Sequence, residues 1–393
     1  MEKLSEVLLP HIEQGRYHSC EWKIIHKKKA HIGKLGYMDI ESKKNIKQNS
    51  LYRVWSMTKP IVSIVVMQLV EEKKIFLEDL ITKYLPEFSN LKVLINSQDN
   101  KVEDIKEIPT IKNLLMHTAG FSYNFAGNSL ARAYDKKELF YLENISLEEE
   151  IYNLSKFPLL FQPSSKWHYS IATDVLARII EVVSKNTLGE VLKTKLFDPL
   201  NMNETNFFID EDNFDRLVSS YEYNLNTNKL GNIVKSPQKI SNFYYPKDNY
   251  NYFRGGIGLF STLNDYSSFA QMLLTGKSNS GKQILSADNL NLITKNHLDP
   301  KLFPLEISTF DQDNTDDNEF EPYGWGLGFR VMIDLEKANG IGQIGEFGWS
   351  GAASTYFLVD QENELTAVLM TQVLGGDNSL RKDFVKFIYE QVS

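Results

Sequence analysis

Cysteine is almost missing from this chain. Cys20 stands alone among 393 residues, so no intrachain disulfide can form, and it is expected to be a small core residue rather than a working thiol. No apolar run approaches the roughly eighteen residues of a membrane span. The start, Met1–Pro10, holds no apolar stretch long enough for a secretion signal. A cytoplasmic chain without a membrane span is the expectation. Excess positive charge is missing too: 43 Lys and Arg against 51 Asp and Glu leave a net charge of −8 and a pI near 5.5. That argues against nucleic acid or an anionic membrane as partner. The seven histidines show no metal-ligand spacing. Gly255–Phe260 lacks the context of a dinucleotide fingerprint. Neither a metal nor an organic cofactor is expected. There is no internal repeat and no linker rich in Pro, Gly or Ser.

What remains is ordinary globular material, 42% hydrophobic and 24% charged, long enough for one large or two interleaved domains. Residues 3–15 form an amphipathic pattern with Leu4, Val7, Leu8 and Ile12 on one stripe. Cys20–His26 and His31–Met38, joined by Lys27–Lys29, predict a hairpin. Leu51–Trp55 predicts a third strand. Leu77–Leu85 has helical spacing and ends at Pro86. Ile108–Phe121 predicts a short helix stopped by Gly120, with His117 expected to bond nearby backbone rather than take part in chemistry. Ser146–Glu149 has capping-box spacing, and its Glu run is expected at the surface. Ile171–Ser184 predicts a long helix, Gly255–Phe260 a close-packed strand, and Tyr266–Leu274 a helix capped from Ser261–Asp265.

The aromatic stretches Phe243–Pro246 and Tyr250–Phe253 are expected to pack under a loop, with an acyl pocket as the competing role. The acidic Asp311–Glu321 is expected to be a mobile surface loop. Strands follow at Trp325–Ile333, Gly342–Glu346, Ser354–Val359 and Leu365–Gln372, then an amphipathic helix at Ser379–Val392. Strands at both ends and helices between predict an α+β fold. Residues 1–75 and 250–393 would form a discontinuous sheet domain, and 76–249 a mostly helical insertion, with a site in the cleft between them.

Trp55-Ser56-Met57-Thr58-Lys59-Pro60 precedes Ile61–Val70, which is apolar on every face and so suits a buried helix. Pro60 fits a first helical turn. Residues three apart share a helix face, which brings the Lys59 ammonium towards the Ser56 hydroxyl. A serine is a weak nucleophile until a base takes its proton. A lysine can be that base once desolvation lowers its pKa, and the unpaired N–H groups of a helix start suit a developing negative charge. Taken alone, the pair competes with a capping serine beside a solvated lysine.

Two later stretches supply partners. Tyr169, in Trp167–Val175, could hold or pass the proton, while the neighbouring His168 points elsewhere on a helix. Phe347–Ser354 brings small residues to an expected strand start, where another backbone can approach closely and an N–H can join that of Ser56 in an oxyanion hole.

Together, Ser56-x-x-Lys59, Tyr169-Ser170 and Trp349-Ser350-Gly351 resemble the signature of the serine β-lactamase and penicillin-binding protein superfamily. Leu114–Phe121 and Gly255–Thr262 also look like pieces of its class C branch, which includes family VIII carboxylesterases and related acyltransferases. The resemblance implies a β-lactamase/transpeptidase-like fold, an antiparallel sheet flanked by helices with a helical insertion. It implies that Ser56 is acylated, that Lys59 accepts or tunes the proton, and that Tyr169 is the general base or shuttle. The N–H groups of Ser56 and Ala352 would bind the oxyanion. Trp349, Ser350 and Gly351, with Ile171, would line the substrate pocket.

Two positions depart from the β-lactamases: Ile171 stands where Asn is usual, and Trp349 where Lys or His is common. Both remove handles for charged, amide-bearing substrates. The expected activity is hydrolysis of a small-molecule carboxylic ester through acyl-Ser56. The alternatives are acyl transfer from the same intermediate, weak β-lactamase or D-amino-acid peptidase activity, or a non-catalytic binding protein of this fold.

Overall fold

The computed structural model describes the whole chain except residues 97–100, 141–144, 225–226, 234–252, 308–317, 377 and 393. Its centre is an eight-stranded antiparallel sheet. From one edge the strands run Tyr323–Trp325, Arg330–Met332, Phe347–Ser350, Tyr356–Asp360, Leu365–Met370, Ser19–His26, Lys29–Asp39 and Lys44–Asn45. The two ends of the chain meet where Trp22 pairs with Leu369 and Ile24 with Ala367.

Strands buried on both faces lose polar alternation, and Tyr356–Asp360 and Leu365–Met370 are buried at every position. Successive side chains still point to opposite faces. Leu358, Leu365, Ala367 and Leu369 meet the terminal helices Leu4–Glu13 and Ser379–Val392, packing with Leu8, Phe384 and Ile388. Phe357, Val359, Val368 and Met370 face the other way, into the core that holds Ile61, Val65, Tyr266 and Phe269.

The helix Thr58–Glu71 runs through that second core, buried without a break from Thr58 to Leu69. This is why its sequence shows no polar face. The helix Ala172–Ser184 packs beside it. No helix among the described residues is long and apolar enough to cross a membrane.

Several expected elements take another form. Leu51–Trp55 contributes only the short strand Tyr52–Arg53, which pairs with Phe260–Ser261 apart from the main sheet. Leu77–Leu85 is no α-helix: the chain makes short 3-10 turns at Ile81–Lys83 and Pro86–Asn90. Its backbone bonds go instead to a neighbouring segment, Ile81 N–H to Pro109 and Lys112 N–H to the Leu77 carbonyl. The short helix Ile111–Leu115 ends before Gly120, because His117 already turns left-handed at φ 55°.

Gly255–Leu259 is a turn, and Trp325–Ile333 splits into two strands around Gly326–Phe329. Gly342–Glu346 is a loop, with Gly342 and Gly345 at φ 125° and 85°. The strand starts at Phe347, so Trp349-Ser350-Gly351 lies at its end rather than its start. Glu148 and Glu149 are exposed as expected, whereas the next residue, Glu150, is fully buried. Phe243–Pro246 and Tyr250–Tyr252 lie outside the described residues, as do positions 311–317 of the acidic stretch. Phe253 is half-buried and its ring packs at a tilt against Phe207, with centroids 5.0 Å apart.

Candidate active site

Ser56 sits in a single 3-10 turn, Trp55–Met57, immediately before the buried helix. The approach is fixed from three sides. Val54 N–H donates to the Leu259 carbonyl, Tyr266 Oη donates to the Met57 carbonyl at 2.8 Å, and Thr355 Oγ1 donates to the Val54 carbonyl at 3.3 Å. Trp55 carries a left-handed φ of 50°, uncommon for a bulky residue and a local cost held in place by those contacts.

Lys59 lies one turn further on and is 1% exposed. Its Nζ donates to Ser56 Oγ at 3.1 Å and to the Gly256 carbonyl at 2.8 Å. The ammonium also rests 4.7 Å from the Tyr169 ring centroid and 5.1 Å from that of Tyr123. Burial, aided by the like charge of Arg254 and opposed by Asp174, pushes its pKa down to about 7. An ammonium taken out of water titrates early because desolvation penalises its charged form.

Tyr169 shares a hydrogen bond with Ser56, and its Oη accepts the Trp349 indole N–H at 3.2 Å. Burial pushes its pKa up, while those two bonds pull it back. Its ring packs on Trp349 and His117 with centroids 5.2 and 4.9 Å away.

His117 is not confined to its own helix end. Its Nδ1 accepts from Ser170 N–H at 3.3 Å, and its carbonyl takes the His168 N–H. His168 turns to Ser122, 3.1 Å away, with burial holding its pKa down at about 4. Thus Ser56, Lys59, Tyr169 and Trp349 form one connected cluster. Ile171 is fully buried at the start of the helix Ala172–Ser184. Ala352 is exposed between buried Gly351 and Ala353. Gly351 packs so closely that a Cβ there would lie 2.6 Å from the Val54 carbonyl oxygen and 3.1 Å from Trp55 Cβ. That contact holds the Ala352 turn beside the Ser56 turn.

Three residues absent from the sequence reading complete the surroundings. Asp174 is fully buried, and its Oδ1 accepts the Gly256 N–H at 3.2 Å. Arg254 Nε stands 3.5 Å from that same oxygen. The Tyr123 ring lies 5.1 Å from Lys59 Nζ and packs against the Tyr169 ring, 5.4 Å away. An acidic residue in the first turn of this helix, one position before its apolar stripe begins at Val175, was the one available signal for Asp174. Among the described residues, no group of three or more His, Cys, Asp or Glu is placed to hold a metal ion. The cluster offers a hydroxyl, a buried amine that can be neutral near pH 7, a phenol beside them, and two turns of backbone N–H groups close by.

A sequence model of the family described as Beta-lactamase matches residues 6–389. Protein Rv1367c of Mycobacterium tuberculosis is 27% identical over 356 residues, covering 87% of this chain and 82% of its own. Lovastatin esterase of Penicillium rubens is 28% identical over 341 residues, covering 84% and 81%. Among solved structures, EstCE1, described as a hydrolase with promiscuous acyltransferase activity, superposes with a TM-score of 0.81 at 22% identity, covering 98% of each chain. That likeness gives the same fold.

Proposed function

This chain belongs to the beta-lactamase family, and from that premise we propose that it is a serine hydrolase of small carboxylic esters working through an acyl-Ser56 intermediate. The observation that carries the reading is the contact of buried Lys59 Nζ with Ser56 Oγ at 3.1 Å. Near pH 7 a large fraction of Lys59 is neutral, so it can take the serine proton as Oγ attacks the ester carbonyl. Tyr169 bridges Ser56 and the Trp349 indole, and it passes a proton to the leaving alcohol. The N–H groups of Ser56 and Ala352 stabilise the tetrahedral oxyanion. Water then attacks the acyl carbonyl, with the same bases in reversed roles.

The same reading divides the chain into a sheet unit, 1–75 with 250–393, and a helical unit, 76–249. The first supplies Ser56, Lys59 and Trp349; the second supplies Tyr169. Lovastatin esterase supports an ester substrate by its name and its extensive similarity. Trp349 supports a neutral one: it offers an apolar ring and one N–H already committed to Tyr169, where a cation would greet a carboxylate. Acyl transfer is the second reading, favoured by the activity described for EstCE1; an acceptor alcohol would replace water in the second step.

The test pairs the native chain with Ser56→Ala on short-chain p-nitrophenyl esters and a chromogenic cephalosporin, with intact-mass detection of an acyl adduct. Ester turnover should fall by about 10⁴-fold or more in the variant, and the adduct should vanish. Cephalosporin turnover should be slight in both. Added alcohols that raise product release without raising acid formation would identify the transferase. Ester turnover that survives Ser56→Ala would overturn the assignment.

A further inference from the structure

Lys59 has two hydrogen-bond partners, and only one of them is the nucleophile. The other is the carbonyl of Gly256, in a turn that is itself gripped from below. Asp174 Oδ1 takes the Gly256 N–H. The grip requires glycines. A Cβ on Gly256 would lie 2.6 Å from Asp174 Oδ2, and one on Gly255 would lie 2.6 Å from the Thr173 carbonyl oxygen. Arg254, two residues before Gly256, returns its guanidinium to the same carboxylate at 3.5 Å. That guanidinium also donates to the Phe140 carbonyl and lies over the Phe140 ring, 4.7 Å from its centroid. Asp174 Oδ2 has no hydrogen-bond partner among the described residues.

Few other charges reach Lys59. His117, on the segment after the Ile111–Leu115 helix, is kept neutral by burial, which lowers its pKa well below the usual range. Tyr123 and Tyr169 are pushed the other way and stay protonated. Trp349 is linked to Lys59 through Tyr169. Among the described residues, the charges facing Lys59 are therefore Asp174 and Arg254, one of each sign, each nine-tenths buried or more.

We propose that Asp174 and Arg254 form a positioning pair for Lys59. Through the Gly255–Gly256 backbone they fix where Nζ lies, and as a mutually neutral buried pair they leave Lys59 free to exchange its proton with Ser56. The inference rests on the acyl-serine reading. It makes a prediction of sign that packing alone does not. With the carboxylate neutralised, Arg254 repels the ammonium and Lys59 deprotonates at lower pH. With the guanidinium removed, Asp174 holds the ammonium and Lys59 deprotonates at higher pH.

The test follows phosphonylation of Ser56 in the full chain by an alkyl fluorophosphonate, measured as a rate by intact mass across the neutral pH range. In that reaction Oγ bonds phosphorus, fluoride leaves, and Lys59 takes the hydroxyl proton, so no natural substrate is needed. The native rate should rise with pH and level off, with a midpoint near the Lys59 value of about 7. Asp174→Asn should move the midpoint down by about one pH unit, and Arg254→Gln should move it up by about the same amount. Arg254→Lys, which keeps the charge, should stay near the native midpoint. Each single variant tests the sign independently, so one that fails to fold leaves the other decisive. A slower plateau with an unmoved midpoint, or midpoints that move together, would make the pair mere packing and overturn the inference. No labelling of native Ser56 would instead overturn the acyl-serine reading on which it rests.

Discussion

At the scale of single residues, the position that most distinguishes this site is Trp349. Where a cation would place a second positive charge beside Ser56 and Lys59, the indole places one neutral N–H on Tyr169 Oη at 3.2 Å. The donor favours the tyrosinate whenever Tyr169 gives up its proton, against a burial that disfavours it. Trp349→Phe keeps a ring of similar packing and removes that donor, leaving a buried oxygen short of a partner. Loss of one such bond costs about 1–1.5 kcal/mol, so kcat for a p-nitrophenyl ester should fall about tenfold, with KM nearly unchanged. A KM change of that size with kcat intact would mean Trp349 contacts substrate instead of steadying Tyr169. Ser56 and Lys59 were legible in the sequence because their spacing before an apolar run joins Tyr169 and Trp349-Ser350-Gly351 in a pattern that resembles a family signature. Asp174 and Arg254 were not. Their meaning depends on a turn 82 residues beyond Asp174, and no local pattern encodes that encounter.

At the scale of elements, the sequence was legible where burial imposes a period and illegible where tertiary bonds replace local ones. The helix at Thr58, the terminal helices and the Leu365–Met370 strand all follow from apolar pattern. Leu77–Leu85 has the right spacing for a helix, yet the Asp79 carboxylate takes the Phe76 N–H and its carbonyl takes the Ile111 N–H. Those bonds hold the chain in turns. The third motif shows the same limit: its residues were identified, but glycines at positive φ move the strand start to Phe347. In the proposed mechanism the consequence is functional, since the turn after that strand carries the Ala352 N–H and must meet the Ser56 turn. A Cβ at Gly351 would approach Thr355 Oγ1 to 2.2 Å as well as the Val54 carbonyl oxygen. Gly351→Ala should therefore force the two turns apart, costing about 1–3 kcal/mol of stability and lowering kcat more than tenfold through a misplaced Ala352 N–H. Gly231→Ala, where a Cβ meets nothing within 4 Å, is the control, read by urea midpoint and ester turnover. Equal behaviour of the two variants would show that this close approach does not set the site.

At the scale of the whole molecule, the site is a burden on the fold that carries it. Lys59 is buried in the central helix with a pKa moved from 10.5 to about 7. The unfolded chain therefore binds a proton at this position that the folded chain does not, throughout the interval between those values. Stability attributable to Lys59 must rise with pH across that interval. Below the lower value both states are charged, and the full cost of burying the ammonium is felt. Above the upper value both are neutral, and the cost is gone. The displacement corresponds to about 5 kcal/mol, and a replacement that cannot bond the Gly256 carbonyl forfeits about 1 kcal/mol of it. Lys59→Met fills the same space with an uncharged chain and leaves the Asp174–Arg254 pair balanced. It should abolish ester turnover while making the protein more stable, by about 3–4 kcal/mol at or just below neutral pH. The gain should shrink steadily as pH is raised towards the ordinary lysine value. Urea denaturation of the two chains at a series of pH values measures this directly, and taking the difference cancels every titrating group they share. A Lys59→Met variant no more stable than the native chain at neutral pH would mean that the ammonium is solvated and that Lys59 lacks the lowered pKa the proposed chemistry needs.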